Sequence, residues 1–134
     1  MSEQASTSPF GLHLMVDAYN CPEALLNDPQ KLYFFLEESL KRLDMHELTK
    51  PYIVHTEGND HKDPGGWSGF MMIEESHISF HTFPKKGFVS IDAYSCRVFD
   101  RNIMINLIKE VFGSEDLEIF DQIRGTRFPD HNIY

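Results

Sequence analysis

Apolar and polar residues alternate along several short stretches of the chain and recur at helical spacing in two others. From Leu12 to Tyr19, the residues Leu12, Leu14, Val16 and Ala18 alternate with His13, Met15, Asp17 and Tyr19, the period of a strand with one face inward. After Asn20-Cys21-Pro22, Asp28 offers a side-chain cap and Pro29 a residue whose missing N–H costs nothing in a first turn. Leu32, Phe35, Leu36, Leu40 and Leu43 then predict an amphipathic helix to about Leu43. Tyr52 to His55 reads as a short strand, and Gly58 to Gly66 is dense enough in turn formers to predict a long exposed loop. Trp67 to Ile73 is apolar apart from Ser68 and Gly69, and its length favours a buried strand. Glu74-Glu75-Ser76 interrupts it. His77, Ser79, His81 and Phe83 then alternate with Ile78, Phe80 and Thr82, Pro84-Lys85-Lys86-Gly87 turns the chain, and Phe88 to Cys96 alternates again, a hairpin with one polar face. Asp100 caps a second helix carrying Ile103, Leu107, Ile108, Val111 and Phe112, Gly113 ends it, and Leu117 to Ile123 forms a last strand. The order predicts an α+β fold, a two-layer sandwich of one antiparallel sheet backed by two helices.

At 134 residues the chain is sized for one domain, taken as residues 10–134 behind a loose tail of residues 1–9. Its 41% hydrophobic content supplies a core and excludes a disordered or fibrous class. A formal charge of −9 opposes the counterion release that binding to nucleic acid requires and favours a cationic ligand. Cys21 and Cys96 are too few for a secreted disulfide framework, no signal peptide is evident, and no apolar run approaches the roughly 18 residues of a membrane span. A soluble cytoplasmic protein with reduced thiols is expected.

Several chemistries lack their signature. No Gly-x-Gly-x-x-Gly opens a helix, Gly65-Gly66 lacks the Lys-Ser of a phosphate loop, and no Gly-x-Ser-x-Gly elbow is present. His77 and His81 would chelate one ion on a helix, but four strand residues span about 13 Å, so no metal is expected there. His13, His46, His55 and His131 read as surface or hydrogen-bonded residues, and His61 has no assigned role. Cys96 on a strand reads either as a small packing residue or as a thiol with chemistry to do.

The runs Ser68-Gly69-Phe70, Glu74 to Pro84 and Asp92-Ala93-Tyr94-Ser95-Cys96 closely resemble the short prokaryotic S-adenosylmethionine decarboxylases, over roughly Gly11 to Pro129. Glu75-Ser76-His77 followed by His81-Thr82-x-Pro84 is the most specific part. The resemblance implies a pyruvoyl enzyme made as a self-cutting proenzyme, cleaved between Glu75 and Ser76 into residues 1–75 and 76–134. Ser76 would be the precursor of the pyruvoyl group, since a hydroxyl on Cβ can take the acyl group as an ester and leave by β-elimination. His81 would be the processing base that removes the Cα proton, Cys96 the proton donor in turnover, and Ser68 a helper in processing or substrate orientation. His81 lies five residues beyond the cut, so strain or a bent entry at Ser76 is required to bring the two together. The pyruvoyl ketone would hold the substrate amine as a Schiff base, with no external cofactor and no metal.

Two features depart from the family's pattern. The acidic residue that binds the ribose hydroxyls is replaced by Lys85, which has no acceptor, and the loop before Ser68 lacks an aromatic residue to stack on adenine, a role left to Trp67 or Phe83. S-adenosylmethionine, feeding spermidine synthesis, is the first expected substrate. A basic amino acid such as ornithine or arginine, suited to Asp60, Asp63 and the acidic balance, is the second. A third reading is an uncleaved regulatory homologue. The family forms homodimers with residues of both subunits near the ligand.

Overall fold

Asp28 fixes the start of the longest helix, its carboxylate accepting the backbone N–H groups of Gln30 and Lys31 ahead of α2, Pro29–Leu43. A computed structural model describes residues 8–59 and 61–129. A one-turn helix, α1 (Glu23–Leu26), precedes α2, and α3 (Arg101–Phe112) follows the hairpins, capped by Asp100 and closed at Gly113 with φ 64°. The described residues also form six strands: β1 (Gly11–Tyr19), β2 (Tyr52–Thr56), β3 (Gly66–Ile73), β4 (Ser76–Phe83), β5 (Phe88–Ser95) and β6 (Asp116–Arg124). They form a single sheet in the order β2-β3-β4-β5-β1-β6, every neighbouring pair antiparallel.

The helices cover one face of this sheet. Leu12, Leu14, Val16 and Ala18 of β1, Ile78, Phe80 and Thr82 of β4 and Val89, Ile91 and Ala93 of β5 are buried beneath α2 and α3. Phe35 links the layers, with ring centroids 6.2 Å from Phe80 and 5.0 Å from Phe112, and each such aromatic contributes about 1.5–3 kcal/mol by burial. Thr82 is the polar exception. Its hydroxyl donates to the Leu26 carbonyl at 2.9 Å and accepts the Trp67 N–H at 3.1 Å, which seats α1 on the sheet.

Among the described residues nothing covers the other face. Phe70 and Met72 of β3 are each 43% exposed and Tyr52 of β2 is 59% exposed, beside Val54. This corrects the expectation of a buried strand over Trp67–Ile73: β3 alternates, with Gly69, Met71 and Ile73 inward and Ser68, Phe70 and Met72 outward. The loop from Gly58 to Gly66 is not wholly exposed either. Asn59 ties it by accepting the N–H groups of His61 and Asp63, and its last two residues, Gly65 and Gly66, are at least partly buried. The loose tail expected over residues 1–9 falls largely outside the described residues, as do Asp60 and His131. Within the described part, Ser8 already donates its N–H to the Phe128 carbonyl at 3.0 Å.

Candidate active site

Glu74 and Glu75 form a two-residue hairpin between Ile73 and Ser76, which face each other across β3 and β4. Such hairpins favour residues with positive φ in the turn, because their twist then matches the strands. Neither glutamate has positive φ. The distortion falls on Ser76, with φ 154°, a region that costs a residue with a Cβ of order 1–3 kcal/mol. The strain asked for by the sequence therefore sits at the residue expected to be cut.

Across the sheet, Ser76 pairs with Ser95, the last residue of β5, and this brings the Cys96 backbone to the Glu75–Ser76 peptide bond. Cys96 lies just beyond the strand rather than on it, and its side chain is exposed. Its backbone N–H donates to the Glu75 carbonyl at 2.7 Å, the carbonyl of the Glu75–Ser76 peptide bond. Gly11 makes room for this approach, since a Cβ there would lie 1.8 Å from the Ser95 carbonyl oxygen and 2.7 Å from the Cys96 Cα. Neither Gly11 nor the Cys96 N–H is visible as a site feature in the sequence, because both matter through backbone proximity.

Ser68 and His81 form a second group. They face each other across β3 and β4, and Ser68 Oγ lies 2.7 Å from His81 Nδ1, both on the uncovered face. Strain at Ser76 does not bring His81 to it. Five residues of strand separate them by about 16 Å, too far for the two side chains of one chain to meet. The chain thus carries two half-sites, Ser76 with Cys96 at one end of β4 and Ser68 with His81 towards the other.

The residues named for substrate contact divide the same way. Phe83 shares the face of His81, stacks on Phe88 at 5.7 Å, and lines an apolar cleft of about 400 Å³ with Lys62, Asp63, Pro64 and Lys86. Trp67 points to the helix side, its indole N–H donating to Asn27 at 2.9 Å and its ring 4.7 Å from that of His55. Lys85 lies in the 3-10 turn Pro84–Lys86 and lines a smaller polar hollow with Glu23, Asn27, His55 and Glu57. Trp67 and Phe83 therefore do not face one pocket.

Two histidines read as ordinary surface or structural residues are bound into the surroundings. His13 Nε2 meets Asp92 at 2.9 Å and Arg124 donates to its Nδ1 at 3.1 Å, with the Arg124 guanidinium 4.7 Å above the Tyr94 ring. His46 Nδ1 lies 3.0 Å from Glu75 Oε2 and 3.7 Å from Glu74. Hydrogen bonding to Glu75 pushes the His46 pKa up. Burial would raise the Glu75 carboxyl, yet the hydrogen bonds from the His46 ring and backbone outweigh it and hold the group below its ordinary value.

A six-stranded antiparallel sheet with helices on one face defines a two-layer α+β protein, with a serine in strained backbone at the start of β4. A family model described as S-adenosylmethionine decarboxylase matches residues 12–125, and the chain belongs to that family. It is 31% identical over 119 residues to an "S-adenosylmethionine decarboxylase proenzyme 2" of Bacillus cereus, covering 88% of this chain and 91% of the relative. It is 30% identical over 117 residues to an "S-adenosylmethionine decarboxylase proenzyme" of Clostridium botulinum, covering 86% of this chain and 94% of the relative. The fold matches the crystal structure of the adenosylmethionine decarboxylase of Aquifex aeolicus with a TM-score of 0.76 at 21% identity, over 93% of this chain and 98% of the other.

Proposed function

We propose that the chain is a self-cleaving proenzyme that cuts itself between Glu75 and Ser76 and then decarboxylates S-adenosylmethionine, giving the decarboxylated form used in spermidine biosynthesis. The observation that carries this reading is the Cys96 N–H on the Glu75 carbonyl beside the strained Ser76. Attack by Ser76 Oγ on that carbonyl carbon puts negative charge on the oxygen that the N–H already meets, the work of an oxyanion donor. The C–N bond then breaks, the serine nitrogen keeps the hydroxyl proton, and an ester joins Glu75 to the Ser76 side chain. Loss of the Cα proton and the Cβ–O bond releases the Glu75 carboxylate and leaves dehydroalanine, from which water displaces ammonia to leave a ketone. The pyruvoyl group so made supplies the electron sink for loss of CO2. The Cys96 thiol is the donor that returns a proton to the substrate carbon.

His81 supports an assembly of two chains. A second copy packed against the uncovered face, with its β4 running antiparallel over this one, brings the partner's Ser68 and His81 to the end of β4 that carries Ser76 and Cys96. The exposed Tyr52, Val54, Phe70 and Met72 on that face are the apolar material such a homodimer would bury. No helix among the described residues is long and apolar enough to cross a membrane, and the proposed role of a free Cys96 thiol suits the reducing cytoplasm.

The substrate is tested by measuring CO2 release from S-adenosylmethionine, ornithine and arginine side by side. Turnover of S-adenosylmethionine is the expected outcome. Release from ornithine or arginine alone would overturn the substrate and would match the lysine at position 85. A processed chain inert on all three would overturn decarboxylation as proposed.

A further inference from the structure

The end of α2 and the segment that follows it are tied to Glu75 on one side and to Arg97, the neighbour of Cys96, on the other. α2 ends on Asp44 in the left-handed conformation, φ 55°, which leaves the last carbonyls of the helix in need of donors. The backbone N–H groups of Asp44 and Met45 return to Lys41 and Leu40, and the Arg97 guanidinium donates to the carbonyl oxygens of Leu43, at 2.7 Å, and Asp44. Arg97 is the residue after Cys96, and its own N–H is held by Ser95 Oγ at 2.9 Å. Two residues after Asp44, His46 grips the opposite side. Its backbone N–H donates to Glu75 Oε1 at 3.1 Å, its imidazole to Glu75 Oε2 at 3.0 Å, and its carbonyl accepts the Glu74 N–H at 2.8 Å.

We propose that residues 43–46 form a positioning clamp for self-cleavage, in which His46 fixes Glu75, Arg97 fixes the backbone of Cys96, and the scissile carbonyl is thereby pressed against its N–H donor while Ser76 carries the strain. This rests on the reading of Glu75–Ser76 as the cleaved bond. His46 touches neither Ser76 nor the carbonyl, so it acts through Glu75. Two hydrogen bonds to one carboxylate fix its orientation, and a shift of about 1 Å in a reacting group can cost on the order of a hundredfold in rate. The carboxylates that face the imidazole are Glu75 and Glu74 from the hairpin and Asp44 from its own segment. All three favour the imidazolium. The charged pair therefore forms above the lowered pKa of Glu75 and is lost as pH rises through the raised pKa of His46.

The test follows the newly made full-length chain as it is cut, over a range of pH, for the native protein, His46→Ala, His46→Gln and Arg97→Ala, with the melting temperature of each uncut form measured in the Ser76→Ala background. Glutamine keeps a side-chain donor for Glu75 but does not titrate. The clamp predicts cutting about tenfold slower in His46→Ala and Arg97→Ala. It predicts near-native cutting in His46→Gln, with the alkaline decline of the native profile that His46 causes absent. Native rates and an unchanged pH profile in His46→Ala would overturn it, as would a loss in both His46 variants that merely tracks a lowered melting temperature. Should the native chain itself stay whole, the cleavage reading fails first, an outcome distinct from a cut chain indifferent to His46.

Discussion

In the proposed mechanism Cys96 acts through two different atoms. Its backbone N–H meets the Glu75 carbonyl, and its thiol is exposed and outside any disulfide. Replacing Cys96 by alanine keeps the first and deletes the second, so Cys96→Ala is expected to be cut at close to the native rate yet to lose about 10²-fold or more in turnover, the typical worth of a positioned proton donor. Measuring cleavage by gel and CO2 release on the same preparation separates the two. Failure to cut would mean that the thiol takes part in processing, and full turnover would remove it from the proton-donor role.

At the scale of elements, the strands and both long helices are legible in the sequence because each carries its own local signal. Asp28-Pro29 and Asp100 mark helix starts, Gly113 marks an end, and the alternation in β1, β4 and β5 follows directly from one buried face. β3 misleads because apolar residues alone suggest burial: Phe70 and Met72 are apolar but stand on a face that no helix among the described residues covers. The one-turn α1 has no period long enough to show. At the site, Glu75, Ser76, His81, Ser68 and Cys96 can be named from motif resemblance, whereas their division into two half-sites cannot, since it depends on strand register. His46 and Arg97 are invisible for a related reason. Each acts on residues far away in sequence, His46 on Glu75 and Arg97 on the end of α2, and neither lies in a motif.

For the whole molecule, the proposed face-to-face pair would account both for the uncovered sheet face and for the separation of Ser76 from His81 within one chain. Mixing a Ser76→Ala chain with a His81→Ala chain is the direct consequence to examine: neither is expected to be cut alone, whereas in the mixed dimer the His81→Ala chain should be cut by the partner's His81. Cleavage of the His81→Ala chain by itself would show that this histidine is not the processing base. An uncut mixture that has formed the mixed dimer would contradict the crossed arrangement. The central claim is that Ser76 is converted into a ketone at the start of a new chain, and the most direct measurement is the intact mass of the C-terminal fragment of native protein. The account predicts a fragment of residues 76–134 lighter by one ammonia than the same fragment beginning with serine, and reactive towards hydrazines. A fragment that begins with plain serine, or a chain that is never cut, would contradict it.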